Sequence, residues 1–289
     1  MMFACNLFGI DRQVYYRRIK RKTIKEAKAI EVVSMVLEIR KSMPRLGTKK
    51  SYHILLDKFQ LINIGRDKLF DILRANHLLI QPKRSYHITT NSHHRFRKHQ
   101  NYILDLEINR PEQVWVSDIT YIGKRDKPRY LSIVTDAYFK KIMGYYVADN
   151  MNTESSVMAL KMAIRQRKNK EMPLIHHSDR GLQYCANNYQ SVLSKNGILP
   201  SMTQNSDPYE NAVAERINGI LKQEFMIDKY NLELSVIKRI VKESINIYNT
   251  QRPHYSNYML TPDQMHLQNQ IKMRTYKTKN SSKLLLTTV

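Results

Sequence analysis

The stretch "VWVSDITYI" (114–122) is a run of β-formers interrupted at its centre by one carboxylate, Asp118. Nine residues of this composition predict a strand. An acid inside an apolar strand is costly to bury unless a charge neutralises it. Outward from it, "RYLSIVTDAY" (129–138) and "KIMGYYVAD" (141–149) are two further strands joined by short polar turns, an antiparallel meander. A helix follows over "TESSVMALKMAIRQR" (153–167) with Thr153 as N-cap, then a strand "PLIHHSD" (173–179), a helix near 186–196 and a strand "ILPSMT" (198–203). "DPYENAVAERINGILKQEF" (207–225) opens with a cap at Asp207, Pro208 in the first turn and Glu210 at the capping-box position, and a last helix spans about 233–249. The order β-β-β-α-β-α-β-α predicts an α/β fold, a mixed sheet flanked by helices. The ribonuclease-H-like arrangement is one of several that fit it.

The N-terminal part has a different texture. The chain of 289 residues carries a net charge of +23. Residues 1–100 hold 22 Lys and Arg against 7 Asp and Glu, a net of +15. A surplus of this size points to a polyanionic partner, most often nucleic acid. "CNLFGIDRQVYYRRIKRK" (5–22) reads as the end of one helix, a turn at Gly9 and an Asp11-capped second helix with Arg12, Tyr15, Arg17 and Arg18. That is the outline of a partial helix-turn-helix over 1–22, or else the start of an ordinary amphipathic helix. Residues 23–80 predict a basic all-α DNA-binding region. Its first helix, 23–40, has a core stripe of Ile24, Ala27, Ile30, Val33 and Leu37, and two short helices flank Gly65. Residues 81–108 read as a basic linker, 109–265 as the α/β domain and 266–289 as a flexible basic tail making at most nonspecific DNA contact.

The two cysteines, Cys5 and Cys185, form no CxxC pair, which excludes a disulfide scaffold and a cysteine-rich zinc site. His93, His94 and His99 likewise have no cysteine pair to complete a zinc site. No apolar run reaches the roughly 18 residues of a membrane span, and the charges follow the apolar N-terminus instead of preceding it. The expectation is a cytoplasmic protein with no membrane partner.

In this order of elements, Asp118 lies within the first strand, Asp179 ends the fourth, and Glu215 lies on the helix after the fifth. If the first and fourth strands are neighbours, the three share a cleft. Three uncompensated carboxylates repel one another, and a hard divalent cation on oxygen ligands relieves that. With 25 acids in the chain, however, some triple would fall conveniently by chance.

The neighbouring residues narrow the choice. "WVSDITYI", "HSDRGLQYC" and "PYENAVAERINGILKQE", with "TDAYFKKIMGYYV" and "YNTQRPHYSNYMLTP" (248–262), closely resemble the second-reading-frame transposases of bacterial insertion sequences of the IS3 family. The resemblance runs from about Cys5 to Pro262 and is most specific from Trp115 to Lys222; "LFGIDRQVYYR" and "RLGTKKSYHILL" resemble the family's helix-turn-helix pieces.

What the resemblance implies is a DDE recombinase with a retroviral-integrase-like core. Asp118, Asp179 and Glu215 would ligate two Mg²⁺ ions, with Mn²⁺ as an alternative. The 35 residues between Asp179 and Glu215 are the interval that the family shares with retroviral integrases. It further implies DNA contact by the basic residue at Lys222, and adds Lys49 and Lys50 to the DNA-binding candidates. His177 and Asn211 are supporting residues, and Asp136 is read as a structural hydrogen-bonding acid. Asp207 stands where many relatives have Gly. The partners would be double-stranded DNA, further copies of the chain on DNA, and an upstream-frame protein or frameshift fusion, at a bacterial nucleoid. A nuclease of the same fold without strand transfer, or an inactive DNA-binding protein, are the rival readings.

Overall fold

The computed structural model describes residues 7, 9, 11–81, 99–104, 106–123, 128–204, 211–229 and 232–267. The chain forms two compact units, divided between residues 84 and 85.

In the first unit, helix α1 (Arg12–Ser42) is followed by α2 (Thr48–Ile54), α3 (Leu56–Leu61) and α4 (Arg66–Ala75). Asp11 caps α1 as expected, its carboxylate accepting from the amides of Gln13 and Val14. Gly9 takes the left-handed conformation of a turn, φ +62. The helix then runs unbroken through residue 22, so the boundary expected between 22 and 23 falls inside one helix. The expected core stripe is also corrected. Ile24, Ile30 and Leu37 are exposed, by 49%, 71% and 45%. The buried positions are Val32, Val36 and Arg40, spaced four apart, because the short helices cover only that face of the second half of α1. Phe59, Leu69 and Leu73 close this small core. Arg40 is buried among them, its guanidinium donating to the carbonyls of Leu78 and Leu46, 2.8 and 3.2 Å away.

The second unit is built on one sheet of β1 (Val114–Ile122), β2 (Arg129–Asp136), β3 (Ile142–Ala148), β4 (Leu174–Ser178) and β5 (Ile198–Met202), in the order β3-β2-β1-β4-β5. The first three pair antiparallel, as the meander requires, and β4 and β5 join parallel to β1. Helices α5 (Thr153–Gln166), α6 (Leu182–Cys185), α7 (Asn187–Lys195), α8 (Ala212–Gln223), α9 (Leu234–Thr250) and α10 (Pro262–His266) complete the unit. This is the ribonuclease-H-like arrangement, a mixed five-stranded sheet between helices. One local expectation changes: Asn152, not Thr153, occupies the cap position of α5. The helix expected near 186–196 is α7, preceded by the separate four-residue α6. The capping device at Asp207, Pro208 and Glu210 lies outside the described residues.

Alternation along β1 divides the core between the two faces of the sheet. Trp115 packs with Val134, Met143, Val157 and Leu160 on the α5 side. Val114 and Val116 pack with Ala137 and Ala214 on the α8 side. Ile103, Leu106 and Ile108 join the second cluster, and the Tyr102 amide donates to Ser201 Oγ, 2.9 Å away. The last part of the segment expected as a linker is therefore partly packed on the sheet: Ile103, Leu106 and Ile108 are half-buried against this cluster, while Tyr102 and Leu104 stay exposed.

Three tethers hold the frame. At Gly144 on β3, helix α5 approaches so closely that an added Cβ would lie 2.1 Å from the Ala159 carbonyl oxygen. Asp136, fully buried, accepts from the amides of Glu112, Tyr138 and Phe139, which is the structural role expected of it. Burial raises its pKa to about 6 against those hydrogen bonds. Beyond α9, the guanidinium of Arg252, 1% exposed, binds both carboxylate oxygens of Glu224 at 2.8 and 2.7 Å and lies over the Tyr248 ring. Glu224 directly follows α8, so the pair fixes the end of that helix.

Replacing Gly144 by Ala forces α5 off the sheet, because the colliding atoms are backbone. The expected loss is about 3 kcal/mol, read as a lower urea midpoint; an unchanged midpoint would show that the contact is looser than described.

Candidate active site

The parallel register of β1 with β4 ends at Ser117 opposite Ser178. The next residue on each strand is an acid, Asp118 and Asp179, so pairing alone brings two carboxylates to adjacent strand positions. Asp179 lies one residue past β4, where its Oδ1 accepts from the Gly181 amide at 3.0 Å. A Cβ at residue 181 would meet that same oxygen at 2.9 Å, which is why glycine stands there.

Side-chain alternation turns Asp118 to the same face as Val116, beneath α8. Its Oδ1 accepts from the Ile119 amide at 2.9 Å and its Oδ2 from the Asn218 Nδ2 at 2.7 Å. Asn211, at the head of α8, donates from Nδ2 to the Ser117 carbonyl at 3.3 Å. Asn211, Glu215, Asn218 and Lys222 are spaced i, i+4, i+7 and i+11, one face of a helix. This polar face lies along β1, while Ala214, Ile217 and Leu221 supply the buried apolar contacts. Asn218 was missed in the sequence; its place on the stripe defined by Glu215 and Lys222 was the signal that could have found it.

Crowding of charge is visible in the acids. Asp118 retains some contact with solvent, yet its surroundings raise its pKa to about 7. Loss of hydration is the largest cause and the charge of Asp179 the second; the bonds from Asn218 and Ile119 pull the other way, and Glu215 adds the least. Loss of hydration also raises Glu215. The Lys222 ammonium is lowered by the same effect, against the attraction of Asp118 and Asp228. The structure thus brings Asp118 and Asp179 together, with Glu215 in weaker reach. Among the described residues no three Asp, Glu, His or Cys side chains are gathered closely enough to hold a metal ion. The oxygen-only donors and the strained proton affinity of Asp118 fit a hard divalent cation.

Both histidines before Asp179 face inward as supports. His176 Nε2 lies 2.7 Å from Ser117 Oγ and 2.8 Å from the Tyr189 hydroxyl, and burial lowers its pKa to about 3. His177 Nδ1 lies 2.9 Å from Ser201 Oγ, which ties β4 to β5.

Two family models, both described as "Integrase core domain", match residues 108–208 and 196–262. The "Insertion element IS600 uncharacterized 31 kDa protein" of Shigella sonnei is 31% identical over 255 residues, 86% of this chain and 92% of that protein. The chain belongs to the integrase-core transposases of the IS3 family. "Transposase InsF for insertion sequence IS3fB" of Escherichia coli (strain K12) is 31% identical over 166 residues, 57% of each chain. "Transposase for insertion sequence element IS904" of Lactococcus lactis is 32% identical, over 50% of this chain and 57% of that one, so these two matches span about half of the relatives' length. The HTLV-2 integrase catalytic core domain in complex with magnesium is similar at a TM-score of 0.43 and 18% identity, over 54% of this chain and 97% of that one.

In this transposase the remaining candidates for DNA contact lie in the N-terminal unit. Arg12, Arg17 and Arg18 are exposed on the first turns of α1, with Arg12 stacked over Tyr16 and Tyr15 set edge-on to the same ring. Lys49, exposed, and Lys50, half-buried, open α2. No helix among the described residues is long and apolar enough to cross a membrane.

The raised pKa of Asp118 fixes the sign of a pH effect. The folded chain keeps its proton up to about pH 7, whereas the unfolded chain releases it near pH 4. Metal-free stability is therefore lost as pH rises through that window. Asp118→Asn removes the loss. At pH 8 the variant should be more stable than the parent by on the order of 1–2 kcal/mol, discounted because Asp118 keeps some solvent contact; at pH 4 the two should coincide. Thermal unfolding at both values in a chelator checks it, and a variant less stable at pH 8 would refute the crowding.

Proposed function

We propose that this transposase cleaves DNA at the ends of its element and joins the freed 3′ ends to a second DNA. The observation that carries the reading is the carboxylate pair on two adjacent parallel strands, Asp118 within β1 and Asp179 just past the end of β4, beneath a helix that bears Glu215 and Lys222 on one face. Asp118, Asp179 and Glu215 would hold two Mg²⁺ ions, or Mn²⁺ in their place. When bound, such ions lower the pKa of a water nucleophile and offset charge on the leaving oxygen.

The chain's own groups have separable tasks. Asp118, whose raised pKa lets it hold a proton near neutrality, would give that proton up to a bound cation. Asn211 and Asn218 hold α8 in line with β1, so that Glu215 needs only a short approach to complete the set. Lys222, on the same face, offers an ammonium to a phosphate of the bound DNA. Exposed Arg12, Arg17, Arg18 and Lys49, with Tyr15 and Lys50, would grip DNA from the N-terminal unit. In the first step a water oxygen forms a bond to phosphorus and the 3′ oxygen leaves as a hydroxyl. In the second, that hydroxyl attacks another phosphodiester and displaces its 3′ oxygen. The first step spends one phosphodiester by hydrolysis and the second breaks one for the one it makes, so no nucleotide triphosphate is consumed. The reaction joins two ends, which favours several copies on DNA and accommodates an upstream-frame protein or fusion.

A pre-cleaved element end offered with supercoiled target DNA and Mg²⁺ tests this. Joined product is expected from the parent. Asp179→Asn and Glu215→Gln should lower joining by on the order of 10³-fold or more, several kcal/mol of lost charge stabilisation, while retaining DNA in a gel-shift assay. Nicking without joining would identify a nuclease. Unchanged activity in Asp179→Asn would remove the site from the chemistry.

A further inference from the structure

One polar group beside the candidate site has no task in the reading above. Tyr184, on α6, is 2% exposed, and its hydroxyl is buried with no hydrogen-bond partner among the described residues. The ring is held firmly. It meets Tyr189 edge-on at 5.3 Å and lies 6.2 Å from the His176 ring, and the Tyr184 carbonyl accepts from Gln190 Nε2 at 2.6 Å. A point 2.9 Å from Asp179 Oδ1 is also 3.5 Å from Tyr184 Cδ2, so ring edge and carboxylate border the same space at Gly181. Burial raises the pKa of the phenol, and Asp118, Tyr189 and Asp179 raise it further.

The neighbouring tyrosine makes the contrast. Tyr189 is equally buried, but its hydroxyl is bound to His176 at 2.8 Å. A phenylalanine would fill the place of Tyr184 without the cost of a dry hydroxyl, since an unsatisfied buried polar group is destabilising and needs an explanation in native chains. A donor held beside two carboxylates has an evident use. Metal-ligating carboxylates are oriented by hydrogen bonds from neighbouring donors, and a water on a cation is a strong donor to a phenol oxygen.

Resting on the reading of Asp118 and Asp179 as metal ligands, we propose that Tyr184 is a positioning residue of the metal site, its hydroxyl donating to an aspartate ligand or accepting from a cation-bound water once a divalent ion is present. The hydroxyl is thus unsatisfied in the empty site and satisfied in the filled one. Its contribution is to metal affinity, not to the stability of the metal-free fold.

The test uses the full chain with Mn²⁺ and Mg²⁺ alone, without DNA. Mn²⁺ binding is followed by electron paramagnetic resonance and metal-induced stabilisation by thermal unfolding, for the parent and for Tyr184→Phe, Tyr189→Phe and Asp179→Asn. Tyr184→Phe is expected to leave the metal-free midpoint unchanged or higher and to weaken Mn²⁺ binding about 10-fold, the lower end of what losing a partner of a metal ligand costs. Tyr189→Phe should do the reverse, lowering the metal-free midpoint with affinity kept. A lower metal-free midpoint in Tyr184→Phe, or an affinity equal to the parent's, overturns the proposal while Asp179→Asn still loses binding. If the parent binds no Mn²⁺, or Asp179→Asn binds as well as the parent, the metal-site reading falls and the proposal with it.

Discussion

The parallel pairing of β1 with β4 is the constraint on which the rest of the catalytic unit depends. It sets Ser117 against Ser178 and so leaves Asp118 and Asp179 as successors on neighbouring strands. A register slip of one residue would turn one carboxylate to the opposite face of the sheet. Much of the surrounding structure protects that register. Ser117 and Tyr189 hold His176 from one side, and Ser201 holds His177 from the next strand. Burial suppresses the charge of His176, and both histidines work as hydrogen-bonding spacers between strands. The energetic burden of placing two acids together is thereby carried by the sheet, and shows at Asp118 as an appetite for protons.

The fold was legible wherever a local pattern and its tertiary use coincide. The apolar runs at 114–122, 129–138 and 173–179 are strands because both faces of this sheet are covered, and their bounds were visible in composition. The candidate acids were legible for a related reason: Asp118 interrupts such a run and Asp179 ends one. Asp136 carried the same signal and proves to be a bracket for three backbone amides, so an acid at a strand end does not by itself distinguish chemistry from construction.

What was not legible required partners far away in the chain. Ile24, Ile30 and Leu37 have helical spacing, but the buried face is chosen by where Phe59, Leu69 and Leu73 come to lie, and that is the face of Val32 and Val36. The packing of Ile103, Leu106 and Ile108 could not be read from the segment before β1, because Tyr102 and Leu104 beside them stay exposed and the cluster the three join is made by β1 and α8. Asn218 is an ordinary helical asparagine until β1 places Asp118 in front of it, 100 positions earlier in the chain. How far Glu215 lies from the two aspartates is likewise invisible to spacing, since it depends on how α8 is held against β1.

The pair of Arg252 with Glu224 has a consequence for how such a chain can change over generations. The two residues stand 28 positions apart, in buried fork-to-carboxylate contact. Loss of either partner alone strands a charge in the interior at a cost of about 3–5 kcal/mol. Drift at one position is therefore closed unless the other changes with it, and the two behave as a single heritable character. A duplicated or recombined element that took α8 from one parent and the segment after α9 from another would fold only if both parents kept the same pair. The clasp thus defines a block of sequence that must be inherited whole.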